Sequence, residues 1–574
     1  MISAPLRKIL PVLEWLPQYR PANLPGDIIA GITLAFFVIP ISMAYASLAG
    51  LPPQAGIYCY LFAGTLYFFF GTSRHLAIGP TSSISIVVGA AVMGMSAGDP
   101  GKALSLGAAT ALIMAALFFI AYIVRLSSLI NFISDTVLTG FKAGAALVIA
   151  STQLPKLFGV QAGGANFFER IWSLVTQAGD AEFPVLIFGM IALTLLITGN
   201  YFFRGKPVSL VIVILSILIL SFTELKESGI RVVGEIPAGI PSLKVYLPDM
   251  MELNEIFFLA MACFLLSYIE SISAARTLAK KNGYEVDPKQ ELIALGFANL
   301  ASSLGSGYPV AGGLSQSTVN ERSGAKTLLS LLITSCILGI TLVFLTGLFS
   351  NMPEVILAVI VIDAIIGLIN IKEMKHLYRV SRTEFWVSLL TVILVLFFGV
   401  LNGIIIAAIF SILAILKKTS NPHIAILGRI PGTNLFSDML RHPDNKPVER
   451  ALILRPESSI LYFNINNIRE RVHALVDGYD GELKLLILDL SSANYVDVPG
   501  AEFLLQMEDT LEKKNVVFRI VDALGTVRDI LRAEGMEQEI GHISRRVTIQ
   551  DILDETFHSS AAPPQPSPAG EGAC

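Results

Sequence analysis

Two stretches of this 574-residue chain join a Gly/Pro-rich extended run to a helix start rich in hydroxyls. The first reads His75-Leu76-Ala77-Ile78-Gly79-Pro80-Thr81-Ser82-Ser83. The second reads Gly305-Ser306-Gly307-Tyr308-Pro309-Val310-Ala311-Gly312-Gly313, then Leu314-Ser315-Gln316-Ser317-Thr318. Gly and Pro interrupt a helix, and Ser or Thr is well suited to begin the next one. A helix N-terminus leaves backbone N–H groups free and carries roughly +0.5 of an elementary charge. Two such starts meeting head to head would offer about one positive charge, together with the side chains of Thr81, Ser82, Ser83, Ser315, Gln316 and Ser317. That combination is a cradle for a small anion. The competing reading is that the breaks only let helices pack closely. Their occurrence at corresponding positions in the two halves of the chain favours the cradle, because paired interrupted segments mark the central site of a transporter.

The second chemical feature is Glu270, in the apolar run Cys263-Phe264-Leu265-Leu266-Ser267-Tyr268-Ile269-Glu270-Ser271-Ile272-Ser273. Ten residues before the cationic Lys280, it lies about 15 Å into the bilayer at 1.5 Å per helical residue, near the midplane. A carboxylate there must be partnered or protonated, which makes it a functional candidate; a structural hydrogen bond to a neighbouring helix is the alternative. Ionised, it would repel a nearby anion. Neutralised by a proton or a sodium ion, it would not, so Glu270 is the expected coupling residue. Asp135, Lys142 and Asp363 also fall in or near apolar runs, but no partner in the sequence lifts them above a structural or topological role.

These residues need elements to hold them, and the composition says what kind. The chain is 53% hydrophobic and 15% charged, with a mean hydropathy of +0.66, whereas soluble domains are about 25% charged. Fourteen apolar segments run from Asp27 to about Lys417, centred near Phe36, Phe62, Val87, Ala115, Ala145, Ala192, Val213, Leu265, Phe297, Ser317, Leu338, Ile362, Val392 and Ile409. The third and tenth, which carry the cradle, are too short or broken to span alone. With a cytoplasmic N-terminus, the loops holding Arg74, Arg125, Arg204, Lys206, Lys280, Lys281, Lys372, Lys375, Arg379 and Arg382 are all inside, and Lys226 and few other cations are outside. An even span count puts both termini in the cytoplasm.

The expected layout is a cytoplasmic segment 1–26, a transmembrane domain 27–418, a linker 419–446, a small α/β domain 447–557 and a disordered tail 558–574. In the α/β domain Leu483–Leu490 and Val516–Val521 read as strands, and Pro499–Lys514 and Gly525–Glu534 as helices. The tail is rich in Pro, Gly and Ser. Residues 1–25 lack the apolar core of a cleavable signal peptide. Cys59, Cys263, Cys336 and Cys574 show no pairing or metal-ligand spacing and read as packing residues. No metal or cofactor is expected, and a net charge of −4 without a basic tract argues against nucleic acid. No nucleophile–base pair or phosphate loop points to an enzyme.

Further motifs, in order along the chain, resemble the sulfate permease family, also called solute carrier family 26. They are Ile39-Pro40-Ile41-Ser42-Met43-Ala44-Tyr45 through Leu51-Pro52-Pro53 with Gly56-Ile57-Tyr58; Gly71-Thr72-Ser73-Arg74-His75; Gly79-Pro80-Thr81; Gly140-Phe141 with Gly144; Glu270-Ser271; and Ser315-Gln316-Ser317. The C-terminal domain resembles a STAS domain through Leu488-Asp489-Leu490-Ser491 and Val496-Asp497-Val498-Pro499-Gly500.

The resemblance implies a polytopic α-helical protein of fourteen segments in a seven-plus-seven inverted repeat, with core and gate domains, elevator-like motion and a homodimeric assembly in the plasma (inner) membrane. It implies substrates such as sulfate, bicarbonate, chloride or dicarboxylates including fumarate, with Thr81, Ser82 and Ser315 touching the anion and Glu270 coupling transport to protons. Ile41 and Gln316 depart from the family pattern, which often has Gln and Arg there; their loss makes bicarbonate or a partly protonated dicarboxylate more plausible relative to sulfate. Val498 and Pro499 replace the phosphorylatable Ser of related soluble domains, so assembly, inhibition or docking of a cytoplasmic protein is expected of that domain. The rival readings are a nucleobase–cation symporter, which would lack a STAS domain, and a passive anion channel or exchanger; sodium-coupled bicarbonate symport is the remaining alternative.

Overall fold

Apolar stretches that satisfy their own backbone hydrogen bonds fold as helices, and the structure, a computed structural model, consists largely of them. It describes residues 9–125, 135–161, 163–164, 166–203, 207–223, 229–541, 543–544 and 547–558. Arg204, Lys206, Lys226, the side chain of Asp135 and the expected tail beyond His558 lie outside the described residues.

The first half comprises α1 (Leu24–Leu48), α2 (Gln54–Phe70), β1 (Ile78–Gly79), α3 (Ser82–Ser96), α4 (Pro100–Ile123), α5 (Asp135–Phe158), the short α6 (Phe167–Thr176), α7 (Phe183–Phe202) and α8 (Val208–Phe222). The second comprises α9 (Leu253–Asn282), α10 (Pro288–Leu304), β2 (Ala311–Gly312), α11 (Leu314–Arg322), α12 (Leu329–Ile340), α13 (Glu354–Ile366), α14 (Ile371–Val380) and α15 (Arg382–Ser420). Every one of the fourteen expected centres falls inside a helix. The last two share α15, which breaks at Gly399, where φ is +79°. Eight helical stretches among the described residues are long and apolar enough to cross a membrane. At 15 and 9 residues, α3 and α11 reach only about 22 and 13 Å, short of the ~30 Å hydrocarbon core.

Helix ends are set by local chemistry. Asp99 caps α4 through the amides of Gly101 and Lys102, and Asp287 caps α10 through those of Lys289 and Gln290. The helices gather into two groups. In one, α10 packs on α2 and α4, and α12 on α1 and α2; in the other, α13 packs on α5 and α7. Gly56 marks a close crossing of α1 and α2: a Cβ there would lie 1.9 Å from the Ser42 carbonyl oxygen.

The described residues from Ile412 onward form a separate compact unit. Its five-stranded sheet has the order β4-β3-β5-β6-β7, from β3 (Ile424–Arg429), β4 (Phe436–Asp438), β5 (Ala451–Pro456), β6 (Leu485–Asp489) and β7 (Val517–Val521). The strands β5, β6 and β7 are parallel, and β3 runs antiparallel to β5. The expected linker 419–446 is corrected here: it supplies β3 and β4, so the sheet begins more than twenty residues before the expected boundary at 447. Ile424, Ala425 and Leu427 bury their side chains, but the apolar run is only four residues long, set between the polar residues 417–423 and a loop rich in Gly and Pro, so by composition it reads as linker. The helices Val498–Glu512 and Gly525–Ala533 lie within two residues of the expected bounds.

Candidate functional site

The two Gly/Pro breaks meet. Strand β1 pairs antiparallel with β2, Ile78 opposite Gly312 and Gly79 opposite Ala311. Antiparallel pairing of strands that each feed directly into a helix brings the N-termini of α3 and α11 together from opposite directions. The approach is close: a Cβ on Gly79 would lie 2.2 Å from Cζ of the fully buried Tyr60, so only glycine fits.

Extended backbone buried inside a membrane domain needs hydrogen-bond partners, and side chains supply them. Val310 donates its N–H to Asn299 Oδ1 (2.9 Å), and its carbonyl accepts from Asn299 Nδ2 (3.3 Å) and Ser267 Oγ (2.8 Å). Gly312 N–H donates to Ser271 Oγ at 2.7 Å. Tyr308 N–H donates to Cys59 Sγ at 3.2 Å, and its carbonyl accepts from Ser302 at 2.7 Å. Cys59 is therefore a backbone anchor as well as a packing residue. Across the two breaks, Ala77 N–H donates to Ser317 Oγ (2.9 Å), Gln316 Nε2 to the Pro80 carbonyl (3.0 Å), and Asn320 Nδ2 to the His75 carbonyl (3.2 Å).

The first-turn amides of the two helices take no part in these ties. On α3, Thr81 caps the helix by accepting from Ile84 N–H at 3.3 Å, leaving the amides of Ser82 and Ser83 without a protein partner among the described residues. On α11 the cap is Gly313, which has no side chain, so the amides of Leu314, Ser315 and Gln316 are equally unpartnered. Five N–H donors thus converge where both helix dipoles are positive. They border a cavity of about 800 Å³ lined by Thr81, Ser82, Ser83, Ser315, Gln316 and Glu270.

Of the residues singled out by sequence, Ser315 is exposed to this cavity, while Ser82 and Ser83 reach it only partly. Gln316 lines it with its amide committed to Pro80. Ser317 does not border it; its hydroxyl donates to the Gly313 carbonyl at 2.6 Å while accepting from Ala77. Glu270 Oε2 accepts a 3.1 Å hydrogen bond from Thr81 Oγ1, so the acid and the cap of α3 are joined directly. The opposite wall comes from α5, α7, α8 and α13 and brings in Lys142, Asn200, Ser209 and Asp363, with Asn200 Nδ2 donating to Asp363 Oδ2 at 2.9 Å. Lys142 and Asp363 were visible in the sequence as intramembrane charges, but their convergence is not a matter of spacing. Ile41 and Tyr45 of α1 also line the cavity. No cluster of potential metal ligands occurs among the described residues.

Comparison with known proteins agrees with this architecture. Residues 24–391 match the sulfate permease family and residues 442–550 the STAS domain. A probable sulfate transporter of Mycobacterium tuberculosis is 31% identical over 524 residues, covering 91% of this chain and 94% of that protein. Sulfate transporter 4.1, chloroplastic, of Arabidopsis thaliana is 32% identical over 571 residues, covering 95% and 82%. Among solved structures, the murine solute carrier 26 family member A9 anion transporter in its inward-facing state superposes with a TM-score of 0.88 at 22% identity, covering 97% of this chain and 95% of that one. The transmembrane domain of the cyanobacterial bicarbonate transporter BicA gives 0.59 at 20% identity over 69% of this chain. Those two likenesses concern the fold. On the match to its family across the membrane domain, and on relatives aligned along nearly their whole length, the chain belongs to the sulfate permease family: it is a multi-pass membrane anion transporter with a C-terminal STAS domain, not an enzyme.

Proposed function

We propose that the chain is a proton-coupled symporter of a small oxyanion, with sulfate the leading substrate and bicarbonate or a dicarboxylate such as fumarate the alternatives. The anion is held by the five unpartnered amides at the head-to-head starts of α3 and α11, with Ser82, Ser83 and Ser315 around it. The observation that carries the reading is the antiparallel pairing of β1 with β2, which opposes the two helix N-termini. The names of the relatives favour sulfate; the neutral Gln316 weighs the other way.

The Thr81–Glu270 hydrogen bond gives a route for coupling. While Glu270 is ionised, it holds the Thr81 hydroxyl hydrogen and places a negative charge beside the cradle. Once protonated, it loses that charge and becomes a donor itself, leaving the Thr81 hydroxyl free to turn toward the anion. Proton and anion binding therefore assist each other, as linkage requires. Gln316 and Ser317 act as ties that keep the two helix starts in register. Transport proceeds by an elevator-like movement of the cradle-bearing helices against the wall built from α5, α7 and α13, in a homodimer in the plasma (inner) membrane with both termini cytoplasmic. The STAS domain docks a cytoplasmic partner or regulates assembly.

The test is uptake of radiolabelled sulfate, bicarbonate and fumarate into proteoliposomes under inward proton or sodium gradients, with wild type and Glu270→Gln. Wild type accumulates its anion under a proton gradient, and the variant loses the response to pH while staying folded. Accumulation driven by sodium alone would replace the proton as coupling ion, and flux that only equilibrates would make the protein a channel or exchanger.

A further inference from the structure

The cavity holds four charged side chains: Glu270 and Asp363, Lys142 and Arg322. The two carboxylates already have donors, Thr81 and Asn200. Arg322 is the last residue of α11, eight positions from the helix start, and is exposed; at 1.5 Å per residue its Cα stands about 12 Å from the cradle end of its own helix. Lys142 is different. It sits on α5, in the wall facing the cradle, half-buried, and it has neither a hydrogen bond nor an ion-pair partner among the described residues. A lysine at the depth of a spanning helix is costly without a counter-charge. The cradle side supplies no side-chain cation of its own, since Gln316 is neutral and bound to Pro80. What it supplies is roughly one positive charge from two helix ends, enough to balance a monoanion but not a dianion.

We infer that Lys142 closes the anion site from the opposite wall and sets its preference for doubly charged oxyanions. The inference rests on the cradle reading and deepens it. The dianion takes the α3 and α11 amides on one side and the Lys142 ammonium on the other, so its two charges are balanced only when both walls face it. Lys142 then has the counter-charge it otherwise lacks, and a monoanion satisfies one wall at most. Asp363 stands on the same wall, but it makes no ion pair with Lys142 and its Oδ2 accepts from Asn200 instead, so the Lys142 ammonium stays available to the anion.

The experiment is equilibrium binding of radiolabelled sulfate to the purified full chain, with nitrate as monovalent competitor, for wild type, Lys142→Gln, Lys142→Arg and Ser315→Glu. Removing a charge-assisted contact weakens sulfate binding by about tenfold or more in Lys142→Gln, and Lys142→Arg recovers most of it. Because a dianion feels a lost charge twice as strongly as a monoanion, nitrate competes better relative to sulfate in Lys142→Gln than in wild type. The inference is overturned by unchanged sulfate affinity in Lys142→Gln, by Lys142→Arg being as impaired as Lys142→Gln, or by unchanged relative competition from nitrate. Ser315→Glu separates the two levels: wild-type sulfate binding in that variant overturns the cradle itself, whereas loss of binding there with a silent Lys142→Gln removes only the role given to Lys142.

Discussion

Asn299 is the side chain on which the extended approach to β2 depends, and its removal has a consequence whose size follows from the structure. It is fully buried, and its amide accepts from Val310 N–H and donates to the Val310 and Leu295 carbonyls. In Asn299→Ala the Val310 carbonyl keeps Ser267, but its N–H has no partner. An orphaned buried N–H costs about 1–3 kcal/mol, and the truncated side chain leaves a small void adding about 1 kcal/mol. A total of about 3 kcal/mol raises the local opening equilibrium roughly 100-fold. Hydrogen exchange read by mass spectrometry on peptides covering 305–313 should therefore accelerate by that order in the variant, with peptides over β5 and β6 unchanged. Acceleration below about threefold, less than 1 kcal/mol, would refute the claim that Asn299 holds this backbone, and equal acceleration everywhere would mean global unfolding instead.

Other outcomes follow from the same geometry. Gly79→Ala forces a Cβ into the Tyr60 ring, an overpacking of about 1–3 kcal/mol or more; sulfate uptake should fall sharply, while Gly94→Ala, whose Cβ would meet nothing within 4 Å, should transport normally. In the STAS domain, the Thr548 amide and hydroxyl both donate to Asp551 and hold its carboxyl below the usual range. A depressed carboxyl stabilises the fold above its unfolded value and loses that contribution as pH falls through the folded one. Hydrogen exchange in the helix Ile549–His558 should therefore quicken between neutral pH and pH about 3, after correction for intrinsic rates, and this acceleration should be absent in Asp551→Asn. In proteoliposomes, Glu270→Gln should leave sulfate uptake insensitive to an imposed proton gradient; a wild-type response would separate Glu270 from coupling.

Much of this was legible in the sequence because membranes impose long apolar runs, and every expected centre from Phe36 to Ile409 fell in a helix. The two Gly/Pro breaks were equally visible, since Gly and Pro punctuate a helix locally. What the breaks do to each other was not. Strands of two residues carry no periodicity, so the pairing of Ile78 with Gly312 leaves no signature. Nor could spacing show that Ser317 and Gln316 would turn toward backbone atoms across 240 and 236 positions of chain. The facing wall eluded the reading for a related reason. Lys142, Asn200 and Asp363 come from three helices, and only packing brings them to one cavity. Cys59 looked like a packing residue because nothing in its neighbourhood announces the distant Tyr308 amide it accepts from.

The central claim is that a small anion binds at the opposed N-termini of α3 and α11. Sulfate uptake by Ser315→Glu in proteoliposomes, measured beside wild type and with folding checked by thermal denaturation, tests it most directly, because the substitution sets a fixed negative charge at the mouth of the cradle. The account predicts a folded protein that no longer takes up sulfate; uptake at the wild-type rate would place the anion elsewhere.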